Sequence, residues 1–306
     1  MTQRRSVAIA IALLLGAAVA TAGCGVGPGG EVGEVSLTVT RDYGAEPVLP
    51  AVTDDASESD TVMRVLDRGA EIETRYGGGF VSSIEGLAEA EEEGRRYDWF
   101  FYVNGVESPV GAADFALDGG EAIWWDYRAW SAASRVPAVV GAWPQPLTGG
   151  YEGKPHSVTL ECRGAPVACA TVRRRLGDAG IAPVQGSPDD AIRVLVGPWA
   201  QLRDDPAARQ LEQGPQTSGV FADVAATAAG YRLRGLDESG EPARGFGPDA
   251  GLVAATRRYE APPVWIVSGA TPAGALAAAQ LLGAAQLRDH YAVATEDGEE
   301  TPLPVR

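Results

Sequence analysis

Apolar and polar residues alternate in the segment that follows the Gly-rich residues 24–34 and overlaps its end. Val35, Leu37 and Val39 alternate with serine and threonine between residues 34 and 43. Side chains of an extended chain point to opposite faces in turn, so this pattern predicts a strand with one buried face. Pro47 and Pro50 follow, and because proline lacks an amide donor, both are predicted to interrupt the strand.

A helix is predicted next, with capping residues at 59–61. Its apolar positions recur three and four residues apart, which places them on one face. They are Val62, Val65, Leu66, Gly69 and Ile72. The glycine run 77–79 ends this helix, and residues 80–84 are predicted as another short strand.

Residues 97–130 hold ten of the 22 aromatic residues of the chain. The order of residues predicts strands joined by tight turns, because Asn104–Gly105 is the dipeptide that two-residue hairpin turns require. Asp118–Gly120 predicts a second turn. Both faces of this sheet would carry rings, and one face is enough for a core. The remaining rings therefore need another explanation.

Strand and helix patterns alternate beyond residue 155. The predicted strands cover residues 157–162, 191–196, 231–236 and 263–267. The predicted helices cover residues 169–180, 206–211 and 271–288. The fold class predicted for the whole chain is α+β. A β-grasp-like domain (35–130) and a Pro/Gly-rich linker (131–155) would precede an α/β or ferredoxin-like sandwich (156–306).

The N-terminus predicts export and lipid attachment. Arginines 4 and 5 precede an apolar run, 7–22, that is short for a membrane-spanning helix. Residues 21–24, Thr-Ala-Gly-Cys, resemble the lipobox of bacterial lipoproteins, which implies a signal peptide over 1–23 and a lipid on Cys24. The alternatives are an ordinary secretory signal and a twin-arginine signal. The predicted location is the outer face of the cytoplasmic membrane, with the Gly-rich residues 24–34 as a tether.

Charge excludes some classes of partner. The chain carries a formal net charge of −16. Cleavage of residues 1–23 would remove two arginines and no acids, which makes the net charge of the remaining chain more negative. A chain with this much negative charge is not expected to bind nucleic acid, nor to dock on anionic lipid through a polybasic surface. Outside Cys24 the cysteines are Cys162 and Cys169, which in an oxidising compartment predict one local disulfide. No metal site is predicted, because only His156 lies near them.

One stretch resembles a known family. In order it contains VMRVL (62–66), GFVSSI (79–84), WFFYVNG (99–105), GA (111–112) and LDGGE (117–121), followed by an aromatic strand. This order is similar to that of the transcobalamin-like C-terminal domain. The resemblance implies a β-grasp-like fold and a surface that closes over one face of a corrin ring through aromatic and backbone contacts. It also implies an uptake system as partner, of the energy-coupling-factor transporter type.

The candidate ligand-binding residues combine this resemblance with the aromatic pattern. They are Phe80, Trp99, Phe101, Tyr102, Asn104, Gly111, Ala112, Trp124 and Tyr127. The expected ligand is cobalamin or another planar, partly apolar molecule, and no cofactor is expected. The strand pattern alone favours Trp99, Phe101 and Trp125 as core residues. It favours Tyr102, Trp124, Tyr127 and Trp130 as the exposed rings, and Asn104 as a turn residue.

No catalytic residues are predicted. Ser268 to Pro272 lie between a predicted strand and a helix, but a serine nucleophile would need a histidine base, and only His156 and His290 exist. Thr271 is predicted to be a helix cap. The sequence therefore favours a binding lipoprotein. Its alternatives are a surface protein-interaction or cell-wall-associated module and, third, an enzyme hosted by the second domain.

Overall fold

The computed structural model describes residues 29–92, 94–186, 188–228 and 230–306. The predicted signal peptide, Cys24 and the tether as far as residue 28 lie outside these residues. The tether prediction is wrong for residues 31–34, which belong to the first strand. Strands make up 41% of the described residues and helices 19%. The predicted fold class is therefore wrong, because the protein is mostly β and contains several sheets.

Eighteen strands occur within the described ranges. Those before residue 130 are β1 (Glu31–Arg41), β2 (Glu46–Ser57), β3 (Ile72–Arg75), β4 (Phe80–Ile84), β5 (Leu87–Ala88), β6 (Ala90–Glu92), β7 (Arg95–Val103), β8 (Val106–Glu107) and β9 (Ala122–Ala129). The others are β10 (Val158–Cys162), β11 (Ile192–Pro198), β12 (Ala222–Thr227), β13 (Gly230–Leu236), β14 (Pro242–Gly245), β15 (Gly251–Thr256), β16 (Val264–Gly269), β17 (Ala292–Glu296) and β18 (Glu299–Leu303).

The helices of the described residues are short. They are α1 (Val62–Gly69), α2 (Pro166–Asp178), α3 (Trp199–Leu202), α4 (Pro215–Ser218), α5 (Pro272–Gln280) and α6 (Ala284–Leu287). Short 3₁₀ segments lie at Tyr76–Gly78 and Ala208–Gln213. No helix in these ranges is both long and apolar enough to cross a membrane.

The aromatic strands belong to a sheet with the order β2-β1-β9-β7-β6, and β8 also pairs with β7. β1 and β9 run parallel, and the other pairs are antiparallel. Leu37 lies beside Ile123, and Phe101 beside Trp125. β2 keeps both Pro47 and Pro50, because it is an edge strand and an edge tolerates missing donors. The predicted interruption of strand structure at these prolines is therefore wrong.

α1 covers the N-terminal sheet on one face together with the small β3-β4-β5 sheet. The Thr61 side chain accepts the Arg64 N–H and begins the helix. Val62, Val65 and Leu66 are almost fully buried in the same cluster as the inward residues of β1. The start of the predicted helix and the predicted strand at β1 therefore build one core. The predicted length of the helix is wrong, because α1 ends at Gly69 and Ile72 lies in β3.

The second half is built on a sheet with the order β10-β11-β16-β15-β17-β18. β10, β11 and β16 run parallel, and the remaining strands are antiparallel. α2 and α5 pack against this sheet and each other, and β12-β13-β14 forms a separate small sheet. The ferredoxin-like expectation is wrong, because parallel neighbours and an extra sheet replace its antiparallel arrangement.

A disulfide joins Cys162 at the end of β10 to Cys169 in α2, with their Cα atoms 5.7 Å apart. This pairing is the one that the sequence predicts. It ties the first strand of the second half to the helix that follows.

Residues 131–155, predicted as a linker, contain a buried stretch at 136–140. Val136, Val139 and Val140 have no exposed surface. The Val139 N–H donates to Gly105 O, and the Val140 N–H donates to Tyr291 O. This segment therefore bonds to both halves of the chain.

Candidate functional site

A cleft of about 240 Å³ opens at the edge of the N-terminal sheet. It lies between β7, the start of β4 and the segment 107–112, and we call it the aromatic cleft. Its lining residues are Gly79, Phe80, Val81, Asp98, Trp99, Phe100, Phe101, Glu107, Ser108, Gly111, Ala112 and Trp125. Five predicted ligand residues are among them, namely Phe80, Trp99, Phe101, Gly111 and Ala112.

The rings of the aromatic cleft range from anchored to exposed. Phe101 and Trp125 stack with their centroids 4.9 Å apart. Trp99 is buried, and its Nε1–H donates to Leu87 O at 2.8 Å. Phe80 is 40% exposed and touches the ring of Tyr76, which is 87% exposed. The inner rings are thus held in place, while the outer rings are open to solvent.

A bare strand edge forms the floor of the aromatic cleft. Four consecutive residues, 98–101, line the cleft. Side chains of a strand alternate between its two faces, so four neighbours can all line one cleft only if the cleft lies along the backbone edge of the strand. β6 pairs with β7 only as far as Tyr97, and β8 pairs only with Tyr102 and Val103. Among the described strands, none pairs with β7 on this side between those points. The Trp99 N–H is satisfied locally by Asp98 Oδ1, at 2.8 Å.

Both charged residues that line the aromatic cleft are acidic. Burial raises the pKa of Glu107, while a 2.8 Å bond from Arg135 Nε acts to lower it. Burial also raises the pKa of Asp98, which is half-buried, and the nearby Glu89 carboxylate adds to this rise. The cleft thus combines aromatic walls with negative charge.

Residues 59–129 match a family described as a domain of unknown function, DUF4430. The match runs from just before α1 to the end of β9 and contains every residue of the aromatic cleft. It spans less than a quarter of the 306 residues. A comparison with curated proteins finds no match.

Two predicted ligand residues in the DUF4430 region lie on the opposite face of the sheet. Tyr102 and Trp124 are 0% and 3% exposed, and both rings pack on Tyr291 from the second half. Trp124 Nε1–H also donates to Thr40 Oγ1 at 2.8 Å. Their predicted exposure is wrong, because the second half of the chain covers this face.

Tyr127 and Trp130 also differ from the prediction. Tyr127 is 9% exposed, lies against Trp99 and donates its hydroxyl to Ala88 O. Trp130 is half-buried beneath the Arg96 guanidinium, whose carbon lies 3.8 Å from the ring centroid. Neither ring lines the aromatic cleft.

Asn104 serves the fold, as the turn prediction states. Its φ is +54°, and Gly105 follows at +72°. The side chain donates from Nδ2 to Gly150 O and accepts the Ala122 N–H, both at 2.9 Å. It therefore joins the hairpin turn to β9 and to the segment 131–155, outside the aromatic cleft.

Sequence reasoning missed Asp98, Glu107 and Val81 as cleft residues. Its assignment of Trp125 to the core is confirmed, because Trp125 is 3% exposed, but it did not show that this ring also lines the cleft. Asp98 carried a usable signal, because it is the one acid in β7 and lies among the five aromatic residues of that strand. Glu107 carried none, since its place at the cleft depends on how the loop after β8 folds. Trp125 lies beside Phe101 on the neighbouring strand, a register that the sequence does not reveal.

The catalytic candidates of the second half have structural roles. Ser268 is 1% exposed and donates to Gly197 O. Thr271 caps α5 by accepting the Gly274 N–H, as predicted, and it donates to Asp249. His156 stacks on Tyr151. Within the described part of the chain, no three His, Cys, Asp or Glu residues are grouped to hold a metal ion.

Proposed function

We propose that the protein is an extracytoplasmic binding lipoprotein whose aromatic cleft captures a planar, partly apolar ligand for an uptake system. The main support for this function is that one cleft is lined both by Phe80, which is 40% exposed, and by three rings that are held in place by their neighbours. These rings are Trp99, Phe101 and Trp125. Concave sites with aromatic walls and a few polar groups are typical of small-molecule binding. The lipobox-like residues 21–24 support attachment to the outer face of the cytoplasmic membrane.

A corrinoid such as cobalamin is the ligand that the resemblance nominates, with an energy-coupling-factor type transporter as the partner. Ligand pockets commonly measure about 300–1,000 Å³, whereas this cleft measures about 240 Å³. The cleft would therefore contact one edge of a corrin ring, and most of the macrocycle would lie outside it. A smaller planar ligand would fit more completely.

Titration of the purified protein with cyanocobalamin tests the corrinoid. Binding should release or absorb heat and quench the fluorescence of Trp99 and Trp125, which line the cleft. Phe80→Ala should weaken binding by about fivefold or more, because a truncated aromatic contact typically costs at least ~1 kcal/mol. Tyr259→Ala is the matched control, since Tyr259 is 80% exposed and belongs to the second half. Flat titrations with several corrinoids would exclude this ligand.

Lipid attachment has its own test. Cells that express the full chain should incorporate radiolabelled palmitate into it, and Cys24→Ala should abolish both the label and membrane retention. Retention of Cys24→Ala in washed membranes, together with an unchanged label, would contradict the anchor.

The alternative is a surface protein-interaction or cell-wall-associated module with no small-molecule ligand. The unpaired edge of β7 at residues 98–101 favours it, because an extended segment of another protein can pair with such an edge. This reading expects no response to planar small molecules and retention of the protein on purified cell walls.

A further inference from the structure

The charges around the aromatic cleft indicate the class of ligand. We infer that the cleft selects planar organic cations over neutral or anionic rings of the same size, with Asp98 as the residue that sets the preference. This ligand class rests on the binding function proposed above and makes it more specific.

Asp98 supplies the uncompensated charge of the aromatic cleft. The other lining acid, Glu107, already receives a hydrogen bond from the guanidinium of Arg135 at 2.8 Å. Near Asp98, Arg75 and Glu89 carry opposite charges and pair with each other at 3.5 Å. The net charge of the residues around the cleft is therefore negative, and the Asp98 carboxylate is its main source.

The geometry of Asp98 leaves one oxygen for a ligand. Oδ1 accepts the N–H of Trp99 at 2.8 Å, which holds the carboxylate at the bare edge of β7. In the part of the chain that the structure describes, Oδ2 receives no hydrogen bond. Burial of this carboxylate raises its pKa, and a cation bound beside it would offset the lost hydration.

The rings act in the same direction as the carboxylate. The faces of tryptophan and phenylalanine attract cations through the negative potential of their π systems, and tryptophan does so most strongly. Trp99, Phe101 and Trp125 all line the cleft beside Asp98. An anion would be disfavoured by the rings and by the carboxylate alike.

Three planar probes of matched size test this selectivity: 1-methylquinolinium, 1-methylnaphthalene and 1-naphthoate. Equilibrium dialysis against the unmodified chain should give the cation an affinity about tenfold higher than the anion, with the neutral ring between them. The preference should shrink as sodium chloride rises from about 50 to 500 mM, because salt screens a partly exposed charge. Both measurements use the unmodified protein, so they are decisive whether or not a variant folds.

Asp98→Asn assigns the preference to one residue. The amide keeps an oxygen that can accept the Trp99 N–H and removes the charge. It should weaken binding of 1-methylquinolinium by about threefold to fivefold and leave 1-methylnaphthalene unchanged. Asp55→Asn, at an exposed position of β2, makes the same change in net charge away from the cleft and should alter neither.

The outcomes separate the ligand class from the binding function. Probes that bind with equal affinity, lose affinity in Phe80→Ala and ignore Asp98→Asn would overturn the cation preference and leave the cleft as a binding site. Absence of binding by all three probes would overturn the cation preference, and together with flat corrinoid titrations it would overturn the binding function itself.

Discussion

Replacing the buried Asp126 by asparagine should stabilise the protein at neutral pH. Asp126 is 0% exposed and lies between the two halves of the chain. Its Oδ1 accepts bonds from Thr40 Oγ1 at 2.6 Å and the Gly44 N–H at 3.0 Å, and its Oδ2 accepts the Tyr291 hydroxyl at 3.0 Å. Burial nevertheless raises its pKa from 3.8 to about 6, although these bonds and the Arg128 charge lower it.

The raised pKa determines the sign of the effect. Below pH 3.8 the carboxyl is protonated in both the folded and the unfolded chain, and its contribution to stability is fully present. As the pH rises through about 6, the folded chain must ionise a group that the unfolded chain ionises more easily, and that contribution is lost. The rise in the pKa of Asp126 from 3.8 to about 6 corresponds to ~3 kcal/mol.

Asparagine keeps the shape of the side chain and removes the ionisation. Its Oδ1 can accept the bonds from Thr40 and Gly44, and its Nδ2 can donate to the Tyr291 oxygen. At pH 4 the free energy of unfolding of Asp126→Asn should therefore exceed that of the parent by less than ~1 kcal/mol. At pH 7 its free energy of unfolding should exceed that of the parent by up to ~3 kcal/mol.

Urea denaturation followed by tryptophan fluorescence at pH 4, 5, 6 and 7 measures this difference. The advantage of Asp126→Asn should grow between pH 4 and 6, and Asp55→Asn, an exposed control on β2, should show no such growth. A variant that is less stable than the parent at pH 7 would refute the reasoning. It would mean that the ionised carboxylate interacts favourably enough with Arg128 to outweigh its burial.

Three further predictions concern stability. Cys162→Ser should lower the free energy of unfolding by about 2–3 kcal/mol, and reductant should lower the melting temperature of the parent but not of the variant. In urea denaturation Asn104→Ala should lower the free energy of unfolding more than Asn104→Gly does. Both variants lose the hydrogen bonds to Gly150 and Ala122, but only glycine adopts a φ of +54° without strain. Equal losses of stability would contradict this. Trp199→Ala should cost about 3–5 kcal/mol by the same assay, since Trp199 is fully buried, and a cost under ~1 kcal/mol would contradict that burial.

Local features of the fold were predictable from the sequence. The alternation of Val35, Leu37 and Val39, the turn at Asn104, the cap at Thr271 and the disulfide all appear where the pattern places them. Each depends on residues close together in the chain, so short-range chemistry decides it.

Features that depend on distant neighbours were not predictable. The alternation of side chains along a strand places Tyr102 and Trp124 on the opposite face of the sheet from Trp99 and Phe101. It does not show which element covers either face. Tyr291, more than 160 residues along the chain from Trp124, covers Tyr102 and Trp124. The parallel pairing of β1 with β9 and of β10 with β11 likewise joins segments whose patterns carry no mark of the partner.

The position of the aromatic cleft follows from how both faces of the sheet are used. α1 and the β3-β4-β5 sheet lie against one face, and the second half of the chain covers the other. The rings that one core does not need, such as Tyr102 and Trp124, therefore pack in a second buried interface, against Tyr291. The aromatic cleft opens at an edge of the sheet, where β6 ends before Asp98 and β8 begins after Phe101. At an edge a ligand meets backbone, rings and a carboxylate together, so its charge and its planarity both affect how tightly it binds.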